Sequence, residues 1–153
     1  MSTLEEAILI ATAAHRGQRD RGGVPYILHP LRVMGKVSGS AERIAAVLHD
    51  VVEDTSVTLD DLRRAGFSDE IVDAVDALTR RESEGYDAFI RRLMPNAVAR
   101  RVKIADLEDN LDLLRLPQLA EHDFQRLIRY RKAHARLTEK PPVATKPNPE
   151  RGE

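Results

Sequence analysis

The 153-residue sequence contains no cysteine, which excludes a disulfide framework, a thiolate metal centre and a cysteine nucleophile. Any metal must therefore be held by His, Asp, Glu or Asn, and a cytoplasmic setting is expected. An excess of one charge is also missing. The 24 Lys+Arg residues against 25 Asp+Glu leave a formal net charge of -1, without the basic field that a nucleic-acid binder carries. Nucleic acid is not expected as a partner. No apolar run approaches 18 residues, and the opening Met1-Ser2-Thr3-Leu4-Glu5-Glu6 is acidic where a secretory leader is basic. Neither a membrane span nor secretion is expected. A chain of this length can hide roughly 68–70% of its unfolded surface around one core, which predicts a single domain.

What is present reads as a succession of helices, with no segment of alternating strand pattern and no internal repeat. Leu4, Ala7, Ile8, Ala11 and Ala14 recur at helical spacing in the stretch ending at His15. Gly17, Gly22, Gly23 and Pro25 then mark a polar loop, and Pro30 falls in the first turn of a short helix carrying Leu31, Val33, Met34 and Val37. Ala41 to Val52 is strongly apolar and predicts a central helix. Thr58 with Asp61 resembles a capping box for a helix closing at Gly66, and Ser68 opens another with Ile71, Val72, Val75 and Leu78. Further helices are expected over Tyr86 to Met94, Asn96 to Leu116 and Asp123 to Leu137. Beyond Glu139 lie four of the eight prolines and almost no apolar residue, so residues 139–153 are expected to be a disordered Pro-rich tail to a 1–138 domain. The fold class is all-α.

Chemistry concentrates at the end of the central helix, in Leu48-His49-Asp50-Val51-Val52-Glu53-Asp54-Thr55. If the helix continues, His49 stacks with Glu53 and Asp50 with Asp54 at i, i+4. Acidic residues there oppose the helix macrodipole, and crowding next to apolar residues favours their protonation; a bound cation relieves both. The alternative is a helix end whose carboxylates simply face water. A second group lies on the later helix, where Val98, Val102, Asp106, Asp109, Asn110 and Leu113 follow at steps of three or four. A carboxylate thus interrupts an apolar stripe, and the plainer reading is a wide polar face. His29 follows the apolar triplet Tyr26-Ile27-Leu28. Two His with two Asp make a ligand set suited to Mn, Fe or Zn with room for water, and such a metal supplies hydroxide near neutral pH. Hydrolysis is the chemistry implied. His15 reads as a helix-terminal residue, and His122 and His134 as surface residues.

In order, Ala14-His15-Arg16-Gly17-Gln18, Pro25-Tyr26-Ile27-Leu28-His29-Pro30, the His49 to Thr55 string and Val102-Lys103-Ile104-Ala105-Asp106 resemble the HD-domain hydrolases. The resemblance is closer to the hydrolase domain of RelA/SpoT-type proteins and the small alarmone hydrolases, and it covers about residues 4 to 138. It implies a compact multi-helix bundle, Mn2+ held by His29, His49, Asp50 and Asp106, and Glu53 and Asp54 as the catalytic carboxylates that orient water and manage protons. It places Asn110 on the substrate, and Arg21, Tyr26 and Lys103 are candidate substrate contacts, Arg21 and Lys103 for phosphate charge. The activity implied is removal of phosphate or pyrophosphate from a nucleotide, specifically the 3′-pyrophosphate of guanosine 3′,5′-bis(diphosphate), ppGpp. A broader nucleotidase acting on nucleoside monophosphates or NADPH-like compounds, and a non-catalytic nucleotide- or protein-binding domain, are the alternatives. The chain departs from the family pattern in three places. Asp20-Arg21 stands for two consecutive basic residues, Asp106-Leu107-Glu108-Asp109-Asn110 replaces Asp-Arg-Leu-His-Asn, and Leu113 occupies a position where a hydroxyl is common.

Overall fold

Thr3 accepts the Glu6 backbone N–H while the Glu6 carboxylate accepts that of Thr3 at 2.9 Å, and this reciprocal cap starts α1 (Leu4–Ala14) in the computed structural model, which describes residues 1–139. The expected tail falls outside the described residues from position 140 onward. His15 is the C-terminal cap of α1. Then follow α2 (Leu28–Gly35), α3 (Ser40–Leu48), α4 (Val51–Asp54), α5 (Leu59–Arg64), α6 (Asp69–Leu78), α7 (Tyr86–Leu93), α8 (Ala97–Asn110), a 3-10 turn (Leu113–Arg115) and α9 (Glu121–Thr138). The Thr58–Asp61 capping box is present, and α5 stops at Gly66 with φ +90, a left-handed conformation that glycine adopts at little cost. Among the described residues there is no strand, only an isolated bridge between Arg19 and Pro25 that closes the polar loop.

Five consecutive residues of α3, Ile44 to Leu48, are buried. A helix that is apolar all round must be covered all round, and α3 is the axis of the molecule. Ile44, Val47 and Leu48 join α1, α5 and α6 in one apolar cluster, whereas Ala45 and Ala46 pack with α7, α8 and α9 in the other. The small alanines let α8 approach closely, so the polar end of α3 meets the middle of α8 and the start of α2.

Two expected helices are shorter than their composition suggests. The Ala41–Val52 segment is interrupted at His49-Asp50, where the His49 imidazole donates from Nδ1 to the Ala46 carbonyl at 2.6 Å and Asp50 adopts φ -104, ψ -4. The break makes a corner at His49, beyond which Asp50 still carries Asp54 at i, i+4, its carbonyl accepting the Asp54 N–H at 3.0 Å: His49 is buried and Asp50 partly so, with Glu53 and Asp54 exposed on the following turn. The Asn96–Leu116 segment ends its α-helix at Asn110, because the Asp112 carboxylate accepts the Leu114 backbone N–H at 3.3 Å and winds the chain into the 3-10 turn.

Candidate active site

His29 from α2, His49 and Asp50 from the α3–α4 corner and Asp106 from the middle of α8 meet at one point. Nε2 of His29 lies 2.9 Å from Asp106 Oδ1 and 3.7 Å from Asp50 Oδ2, and Nε2 of His49 lies 2.9 Å from Asp50 Oδ2 and 3.5 Å from Asp106 Oδ1. Ligand bonds of about 2.1 Å at right-angle or tetrahedral spacing separate donor atoms by about 3.0–3.4 Å; the donor atoms of His29, His49 and Asp50, all within 4.8 Å of one another, suit one divalent ion, and Asp106 Oδ1 lies beside both imidazoles. The tautomers agree. Nδ1 of His49 donates to Ala46 O and Nδ1 of His29 donates to Asp109 Oδ2 at 2.7 Å, which leaves both Nε2 lone pairs directed at the cluster. Nε2 of His49 is buried without a hydrogen-bond partner among the described residues. The donor set fits a divalent metal and, without thiolates, favours none in particular.

The electrostatics point the same way. Burial opposes protonation of both imidazoles, yet the negative charges of the carboxylates beside them, Asp50 and Asp106 for His49 and Asp106 for His29, raise their affinity for protons. Burial likewise disfavours charge on Asp50 and Asp106, but neighbouring His49 holds Asp50 low, and Lys103 with the two histidines holds Asp106 well below the usual carboxylate range. The pocket therefore asks for positive charge at its centre, which imidazole protons or a metal ion can supply.

Around this centre the side chains are fixed in turn. Lys103 Nζ donates to Asp106 Oδ2 at 2.8 Å and lies 5.3 Å from the centre of the Phe89 ring. Asn110 Nδ2 donates to Asp106 Oδ1 at 3.0 Å, and the Tyr26 hydroxyl donates to Asp50 Oδ2 at 2.5 Å. Burial and Asp50 both push the Tyr26 hydroxyl to hold its proton. Lys103, Asn110 and Tyr26 thus support the ligand carboxylates while also lining the adjoining cavity. His15 donates to Gln18 Oε1 at 2.8 Å, and Gln18 donates to the Asp54 carbonyl at 3.1 Å, which ties the polar loop to the end of α4.

Glu53 and Asp54 stand at the rim. Glu53 Oε1 accepts the backbone N–H of Arg80 at 2.6 Å. Burial, with the charges of Asp50 and Glu53, pushes the Asp54 carboxyl up to about 6, so it holds a proton at a pH where an ordinary aspartate has lost it.

The cavity beside the cluster has a volume of about 430 Å³, large enough for a small ligand. Arg21 reaches across its mouth to pair with Asp123 on α9. Asp20 turns its carboxylate onto the Val24 backbone N–H at 3.2 Å, shaping the loop. The cations facing the cavity with no carboxylate partner among the described residues are others: Arg19, whose guanidinium donates to the Gly23 carbonyl, and Arg80, Arg126 and Arg129. The guanidinium carbons of Arg80 and Arg129 lie 5.7 and 5.5 Å from the centre of the Tyr86 ring. Sequence reasoning passed over these residues because a charged stretch at Arg80-Arg81 and an Arg-rich helix look the same whether they face solvent or a cavity. Asp109 was visible on the α8 stripe, but its partners came from elements 77 and 80 residues away.

Comparison with known proteins matches residues 7–89 to the HD domain family. A GTP pyrophosphokinase of Streptomyces coelicolor is 36% identical over 132 residues, covering 80% of this chain and 16% of that protein. A guanosine-3′,5′-bis(diphosphate) 3′-pyrophosphohydrolase of Aquifex aeolicus is 30% identical over 118 residues, covering 71% and 17%. The chain therefore spans about one sixth of the length of these curated relatives. A solved structure of a metazoan ortholog of SpoT, described as hydrolysing ppGpp, superposes with a TM-score of 0.75 at 26% identity, covering 90% of this chain and 86% of that one.

Proposed function

The chain belongs to the HD domain family, and on that premise we propose that it is a metal-dependent phosphohydrolase that removes the 3′-pyrophosphate of ppGpp. The observation that carries this reading is the meeting of two imidazole Nε2 atoms and two carboxylate oxygens at the head of a nucleotide-sized cavity. The activities named for the Aquifex relative and for the metazoan SpoT ortholog support ppGpp as the substrate. Mn2+ is the ion we assign to His29, His49, Asp50 and Asp106.

When bound, a divalent ion here neutralises charge on a phosphate oxygen and lowers the pKa of water at the site. The remaining work belongs to side chains. Glu53, held by the Arg80 N–H through one oxygen, orients the attacking water and accepts its proton. Asp54, one turn on from Asp50 at the rim, is placed to give a proton to the leaving 3′-oxygen. Asn110 and Lys103 keep Asp106 in place and present polar edges to the ligand. Arg80, Arg126 and Arg129 supply the cationic wall for the phosphates, while Arg21, engaged with Asp123, closes the mouth.

The reading is tested by incubating the Mn2+-loaded chain with ppGpp, nucleoside monophosphates and NADPH while measuring phosphate and pyrophosphate separately. Pyrophosphate and GDP released from ppGpp are expected. Phosphate from the monophosphates or NADPH alone would make it a broader nucleotidase, and no product from any of them would make it a binding domain.

A further inference from the structure

Asp109 stands where the family pattern has histidine, and it is almost fully buried at 3% exposure. Its carboxylate takes protons from three directions. His29 Nδ1 donates to Oδ2 at 2.7 Å, Arg32 donates from Nε to Oδ1 at 2.9 Å and from Nη2 to Oδ2 at 3.1 Å, and Arg115 Nη2 donates to Oδ2 at 3.2 Å. Arg115 also donates to the Asp109 backbone carbonyl. The network spans three elements: α2 supplies the donors His29 and Arg32, α8 carries the acceptor, and the 3-10 turn supplies the donor Arg115.

A buried carboxylate is stable only when its charge is met, and two guanidiniums meet it here. A neutral imidazole in its place could not accept from both. Once ionised, Asp109 fixes the proton of His29 on Nδ1, sets the ring plane and makes Nε2 a stronger donor toward a cation. Arg115 adds a connection that a lone Asp–His pair would lack. It belongs to the segment forming the cavity rim, and its carbonyl oxygen lies against Gly22, 3.1 Å from where a side-chain Cβ would stand, so the rim and the polar loop are packed together.

We propose that Asp109 is the positioning residue for His29, and that through Arg115 it couples the rim segment Asp112–Leu116 to metal binding. The inference rests on the metal site assigned above but not on any reaction. Occupancy of the site favours the His29 orientation that Asp109 enforces, and by linkage it favours the arrangement of Arg115 that enforces Asp109.

The test uses the full chain and Mn2+ alone, with affinity read by competition against a chelator and rim order read by amide hydrogen exchange. Asp109→Ala is expected to weaken Mn2+ binding by about 10–100-fold, the usual range for losing such a support. Asp109→Asn is expected to lose less, since its amide oxygen still accepts the Nδ1 proton. Arg115→Gln is partly exposed and removes no group from His29, so it keeps the test open if Asp109→Ala fails to fold. It is expected to weaken Mn2+ binding and to abolish the Mn2+-induced slowing of exchange over residues 112–116 expected of the wild type. Unchanged affinity in folded Asp109→Asn and Arg115→Gln proteins, or no Mn2+ binding by the wild type, would overturn the proposal. A chain that binds Mn2+ in this Asp109-dependent way yet hydrolyses nothing would remove the functional reading and leave this one standing.

Discussion

Glu53 Oε1 accepts the backbone N–H of Arg80 at 2.6 Å, joining the short helix α4 to the connection between α6 and α7. A side chain on an exposed turn is thereby held at one angle to the metal cluster, and the residue that holds it extends a guanidinium over Tyr86. Replacing the charge while keeping the shape isolates the chemistry. Glu53→Gln should retain stoichiometric metal and lose turnover by roughly 10²–10⁴-fold, the range for a missing acid–base group. Steady-state kinetics beside elemental analysis checks this, and unchanged kcat would remove Glu53 from catalysis.

Metal content should respond to the ligand residues themselves. His49→Ala removes a donor whose Nε2 has no hydrogen-bond partner among the described residues, and Asp106→Ala removes the carboxylate shared by both histidines. Each should bring the purified protein from about one divalent ion per chain to almost none. Full occupancy in both variants would show that the ion sits elsewhere.

The cationic wall predicts a separation of KM from kcat. Arg129 faces the cavity from α9 and touches none of the cluster, so Arg129→Gln should leave kcat for ppGpp within about twofold. A hydrogen bond to a charged group contributes about 1.5–3 kcal/mol, so KM should rise at least about tenfold. A fall in kcat at constant KM would contradict the assignment.

Outside the cavity lining, Arg92 clamps Glu84 from Nε at 2.8 Å and Nη2 at 2.9 Å and holds its carboxyl at about 2 against an ordinary 4.5. The folded protein resists a proton that the unfolded chain accepts. The stabilisation is therefore complete above pH 4.5 and drains away as pH falls toward 2. Arg92→Met should be less stable than the wild type at pH 6, with the gap narrower but still open at pH 3, since Arg92 also donates to the Thr79 carbonyl at 2.8 Å. Urea unfolding at the two pH values checks this, and a gap of constant size would mean that the pair contributes nothing through charge.

Four of the residues that meet at the cluster were legible because each interrupts an apolar context that cannot tolerate it alone: His29 after an apolar triplet, His49 and Asp50 at the end of the axial helix, Asp106 on the α8 stripe. The all-α class and the helix starts at Thr58 and Ser68 were legible for local reasons, since caps and periodicity act over a few residues. The corner at His49-Asp50 was not, because neither Gly nor Pro announces it and it depends on a side-chain hydrogen bond to Ala46. The orientations of Arg21 and Asp20 were equally hidden. Arg21 meets Asp123 across 102 positions, and no spacing rule reports such a contact.

The order in which the cavity's parts occur along the chain bears on its biogenesis. His29, His49 and Asp50 are synthesised within the first third of the chain, but Asp106 and Asp109 follow more than fifty residues later, and the α9 wall later still. A nascent chain that has exposed only α1 to α4 carries three donors without the carboxylate that gathers them or the one that sets the His29 tautomer. The four donors of the proposed metal site therefore come together only when α8 docks onto α2 and α3.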